Sequence, residues 1–62
     1  MRRSGMKWYN INENYPPMFT AIQIRDYDNN IFFGEFVEND VFVIYGNYDE
    51  KIYSDKIKEW SF

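Results

Sequence analysis

Ile31-Phe-Phe-Gly-Glu-Phe-Val37 and Val41-Phe-Val-Ile-Tyr45, joined by Glu38-Asn39-Asp40, form the most apolar part of this chain. Two runs rich in Phe, Val and Ile around a short polar link predict a β-hairpin. Within the runs only Gly34 and Glu35 are not apolar. A hairpin with one wet face alternates apolar and polar residues, and this one hardly does. Both faces therefore want cover, from the rest of the chain or from a second copy.

Working outward, Met18–Tyr27 (MFTAIQIRDY) predicts a strand before the hairpin, with Asp28-Asn29-Asn30 as the turn. A three-residue loop places Ile22 opposite Phe36 and Ile24 opposite Gly34, with Asn30 in the left-handed conformation. A two-residue turn at Asn39-Asp40 pairs Phe36 with Val43, Val37 with Phe42, and Gly34 with Tyr45, whose ring would lie across the glycine. The expected core face then carries Met18, Ile22, Ile24, Phe32, Phe36, Val41, Val43 and Tyr45. The other face carries Phe19, Ala21, Gln23, Arg25, Phe33, Glu35, Val37, Phe42 and Ile44.

The flanks are less regular. Residues 1–6 read as a flexible leader, with Met1 and Met6 both candidate starts, and 7–62 as one small domain. Trp8–Tyr15 alternates apolar and polar residues as an extended edge segment does, and Pro16-Pro17 ends it. Gly46–Glu50 reads as a loop. Residues 51–54 suit a short fourth strand, or Ser54 instead caps a helical turn over Asp55–Trp60, and the pattern leaves the two open. The expected fold is mainly β: an antiparallel meander of three to four strands, barrel-like in one version, with a short C-terminal helical turn.

Composition narrows the function. Sixty-two residues make one marginal domain, in need of a staple beyond its core. With no Cys and no His, disulfides are absent, an ordinary zinc site has no ligands, and no Ser-His or Cys-His pair exists. Dense aromatic packing, with Trp 2, Tyr 6 and Phe 6, and self-association remain. The absence of Cys, of a signal peptide and of a membrane-length apolar run predicts a cytoplasmic protein with no membrane contact.

Charge is unevenly spread. Arg2, Arg3 and Lys7 open the chain, Arg25 is the lone base of residues 8–50, and Lys51, Lys56 and Lys58 lie near its end. An acidic body argues against direct DNA binding. The pair Asp26 and Asp28 has no evident cleft and reads as turn chemistry. Asp26–Asn30 opens like a calcium loop, but Ile31 and Val37 occupy the positions that need Gly and Glu. No cofactor is expected.

Three groups remain as candidate sites. Phe19, Phe33, Val37, Phe42 and Ile44 form an apolar interface for self-association or a partner. Asp26, Asp28, Glu38 and Asp40 form acidic loops suited to a basic protein surface. Arg25, Lys51, Lys56, Lys58, Trp8 and Trp60 are candidate contacts for a nucleotide ligand, while Arg25 also suits a cross-strand pair with Glu35.

Trp8, Pro16-Pro17, the alternating Ile22-x-Ile24, Gly34 within an aromatic strand and Ile57-x-x-Trp60 follow one another in a familiar order. This pattern, over residues 8–60, resembles a small domain-of-unknown-function family common in phages and prophages, with Glu59 where that family usually has His. The resemblance implies a phage origin, a bacterial cytoplasm and a small β-rich fold, but no activity. The expectation is a non-catalytic binding protein, a phage-encoded inhibitor that blocks or sequesters a host defence or regulatory component. A nucleotide-binding sponge and a structural subunit of a phage assembly are the alternatives.

Overall fold

The computed structural model describes residues 7–46 and 50–62, so the expected leader and the centre of the Gly46–Glu50 loop lie outside the described residues. The chain is mainly β. Strands β1 (Tyr9–Asn10), β2 (Ile22–Asp26), β3 (Ile31–Glu38), β4 (Val41–Ile44), β5 (Glu50–Tyr53) and β6 (Ile57–Ser61) form one open sheet in the order β1-β6-β2-β3-β4-β5. Every paired neighbour is antiparallel. A 3₁₀ turn, Ser54–Lys56, joins β5 to β6.

That connection forces the sheet to curl. Between β5 and β6 lie four inter-strand spacings, about 19 Å in a flat sheet. The link from Tyr53 to Ile57 reaches about 14 Å fully extended, and less through a 3₁₀ turn. The strands must therefore coil around a common interior. Ile22 and Ile24 of β2, Phe36 of β3, Phe42 and Ile44 of β4, and Ile57 and Trp60 of β6 meet there with Ile11. Phe42, Ile24 and Ile57 are the largest fully buried side chains.

The segment between β1 and β2 covers one mouth of this coil. The Trp60 indole N–H donates to the Asn14 carbonyl at 2.7 Å, which satisfies the polar edge of a buried ring. Tyr15 meets Phe36 edge-on at 5.2 Å, and its hydroxyl donates to Asp40 at 2.8 Å. Pro16 is buried behind it. The expected long strand Met18–Tyr27 is shorter than its pattern suggested. Phe19 has φ 58, which breaks the extended run, and Met18 is 46% exposed rather than in the core.

The two hairpins depart from the expected registers in different ways. Between β2 and β3, Ile22 faces Gly34 and Arg25 faces Ile31, two residues short of the expected pairing. The loop is longer because the Asp26 carboxylate accepts from the Asp28 and Asn30 amides, each at 2.9 Å, and folds five residues into the turn. Asn29, not Asn30, takes the left-handed conformation. A shift of two preserves the faces, so Ile22, Ile24 and Phe36 are core as expected.

Between β3 and β4 the change is one residue and has the opposite consequence. Glu38 faces Val41 across Asn39-Asp40, as a two-residue loop requires, but the next pair is Phe36 with Phe42. Val37 is the extra residue of a β-bulge. Beyond it every residue of β4 changes face. Phe42 and Ile44, expected on the outer face, are 0% and 8% exposed, whereas Tyr45, expected in the core, is 41% exposed. Val41 and Val43 are half-buried on the outer side. Gly34 faces Ile44 rather than Tyr45.

At the C-terminal end, the helical turn expected after Ser54 stops at Lys56, and Ile57–Ser61 is a strand between β1 and β2. Its amides and carbonyls serve two neighbours, which outweighs a single isolated turn of helix. No helix among the described residues is long and apolar enough to cross a membrane.

Candidate interaction surface

On the outer face, three strands and the residue that follows β4 bring one row together. Ser61 of β6 faces Gln23 of β2, and Gln23 faces Phe33 of β3. The Tyr45 amide donates to the Phe33 carbonyl at 2.9 Å, which places Tyr45 next in the row. Gln23, Phe33 and Tyr45, with Ala21, Ile22 and Phe62, line a shallow groove of about 560 Å³. Phe33 and Phe62 are both 62% exposed.

The walls are braced from behind. Phe62 meets the Trp60 ring edge-on at 5.1 Å and Tyr9 at 6.3 Å, while Tyr9 stacks on Trp60 at 4.6 Å. The Gln23 amide donates to the Phe62 main-chain oxygen at 3.3 Å, closing the floor. At the opposite wall, the Tyr45 hydroxyl donates to the Glu35 carboxylate at 2.8 Å. Glu35 follows Phe33 by two positions and so shares its face.

Further along the same face stands a charged cluster. Arg25 forms an ion pair with Glu59, which lies directly opposite it on β6, and its guanidinium stacks on the Trp8 ring at 4.0 Å. The expected partner Glu35 sits four residues further along β3 than Ile31, the residue that faces Arg25, and is out of reach in this register. Lys7 lies over the Tyr9 ring at 5.2 Å.

Of the expected apolar interface, Phe33 and Phe19 are exposed, at 62% and 69%. Val37 is the half-buried bulge residue, and Phe42 and Ile44 belong to the core. The acidic residues divide between the two ends of β3, with Asp26 and Asp28 before it, Glu38 its last residue and Asp40 just after it. Asp26 and Asp40 are engaged within the fold, in the turn and with Tyr15. The amide of Asn30, foremost, holds the Asp26 carboxyl below its usual range.

The expected nucleotide contacts do not assemble. Trp60 is 3% exposed and packed in the core, and Trp8 and Arg25 occupy one another. Lys51 lies on β5 opposite Val43, Lys58 on β6, and Lys56 in the 3₁₀ turn beside a depression of about 330 Å³ shared with Asp40 and Tyr53. Among the described residues, no three His, Cys, Asp or Glu side chains are placed to hold a metal ion.

Sequence reasoning left Tyr45 and Phe62 out of the site. The Tyr45 assignment failed with the β4 register, and Phe62 stood in none of the candidate groups. No family model, curated protein or solved structure matches the chain.

Proposed function

We propose that this chain is a non-catalytic binding protein that blocks or sequesters a partner protein through the face bearing Phe33, Tyr45 and Phe62. One observation carries the reading: three large aromatic side chains, 41–62% exposed, line one groove, while the core among the described residues is eight hydrophobic side chains. Burying such rings is worth roughly 25 cal/mol per Å² of apolar surface, which a marginal domain would use internally if nothing else claimed them. Apolar patches of this kind mark contact sites, and aromatics are the residues that dominate contact energies. The absence of His and Cys leaves little for nucleophilic or general-base chemistry. Through the sequence resemblance, a phage origin and a host defence or regulatory component as the target form part of the same proposal.

The test compares the wild-type protein with a Phe33→Asp variant, each immobilised and exposed to host lysate. Both are also screened for a melting shift with a panel of nucleotide signals. A protein retained by the wild type and lost with Phe33→Asp supports the inhibitor. A nucleotide shift alone supports the sponge, and incorporation into phage particles without either supports a structural subunit. Light scattering on the same pair settles self-association: an oligomer dispersed by Phe33→Asp assigns the face to a second copy.

A further inference from the structure

The outer face holds two sets of similar chemistry, and among the described residues that form them only one set includes a cation. In the first, Arg25 lies between the Trp8 ring and the Glu59 carboxylate. In the second, Phe33, Tyr45 and Phe62 line the groove and Glu35 sits at the Tyr45 hydroxyl, with no basic side chain among the lining residues. We propose that this groove binds an arginine side chain of the partner protein, stacked on the aromatic rings with its charge facing Glu35. The inference rests on the reading of this face as a protein-binding surface.

Geometry and charge both favour that occupant. Gln23 stands between Phe33 of β3 and Ser61 of β6, strands about 9–10 Å apart, and Phe62, the residue after Ser61, lines the groove together with Phe33. A guanidinium is planar and weakly hydrated, and it is attracted to the negative faces of aromatic rings. The protein's net charge of −3 draws cations and opposes a phosphate-bearing ligand at the same place. An apolar residue would gain the ring contacts but no attraction to Glu35, so the carboxylate favours positive charge.

The test is an NMR titration of the intact protein with acetyl-Gly-Arg-Gly-amide and with the same peptide carrying citrulline, which keeps the shape and removes the charge. Saturable shifts at Phe33, Tyr45, Phe62 and the Gln23 side-chain amide are expected, with the citrulline peptide weaker by about tenfold or more. Phe33→Ala should abolish the shifts while the core resonances of Ile24 and Trp60 stay in place, and Glu35→Gln should narrow the difference between the peptides. Equal shifts from both peptides overturn the proposal, as does no shift, or a stronger response to a mononucleotide. A partner protein lost with Phe33→Asp whose contact side chain proves apolar also overturns it, while leaving the binding reading of this face intact.

Discussion

A β-carbon on Gly34 would run into the carbonyl oxygen of Val43 on the neighbouring strand, with the Val43 carbonyl carbon at 3.1 Å and the Ile44 Cα at 3.2 Å behind it. The obstacle is backbone, which cannot rotate away as a side chain could. Gly34 lies between Ile22 and Ile44 in the curled part of the sheet, where glycine permits two strands to approach closely. Gly34→Ala should therefore destabilise the fold by about 1–3 kcal/mol or more, through displacement of β4. Urea denaturation measures it, and a neutral result would mean that β4 shifts freely.

The bulge at Val37 sets a sharp contrast between two phenylalanines. Phe42→Ala should cost about 3–5 kcal/mol, because it empties the centre of the core. Phe33→Ala, on the exposed face, should change stability by no more than about 0.5 kcal/mol. Thermal melts of the two variants decide it. The reverse order would restore the unbulged register.

Arg25 and Glu59 form a partly screened pair, with side chains 26% and 19% exposed. A double-mutant cycle with Arg25→Met and Glu59→Gln should give a coupling of about 1 kcal/mol, between the values for exposed and for well-packed charged hydrogen bonds. The coupling should shrink at high salt. Exchanging Glu35 for Gln in the same cycle should give none.

Asp26 predicts an acid-sensitive turn. Its carboxyl is held below the ordinary value of 3.8, chiefly by the Asn30 amide. A carboxylate whose pKa is lowered by folding adds stability that is present above the unfolded value and is lost as pH falls through the folded one. The Asp26 carboxyl resonance should therefore titrate below 3.8. Stability of the wild type should fall more steeply than that of Asp26→Asn as the pH drops below that value.

Phe19 is the one bulky residue among the described non-glycine residues at positive φ, the others being Asn29 and Asn39. Its amide is fixed to the Phe36 carbonyl at 2.8 Å, while its ring is 69% exposed. Asparagine visits this conformation readily, so Phe19→Asn should raise stability by about 0.5–1 kcal/mol. Calorimetry would show it as a higher Tm. A loss instead would mean that the ring packs more than its exposure indicates.

The amino-acid sequence by itself determined the mainly β class, the existence but not the full length of the hairpin turn around Asp28–Asn30, the turn at Asn39-Asp40, and the burial of Ile22, Ile24 and Phe36. It also carried the shortage of catalytic side chains, since composition alone excludes His and Cys. These depend on side-chain type and on local alternation, which are visible residue by residue. What only the tertiary structure decided is which face of β4 is inside. Val41–Tyr45 is apolar at every position, so its pattern holds no information about orientation, and the single residue inserted at Val37 settles it. The groove followed from that choice: Tyr45 turned outward to join Phe33, and Phe62 reached them only because the short 3₁₀ link curled β6 back beside β2. Contacts between residues so far apart in the chain depend on how the whole sheet closes, which no local stretch can specify.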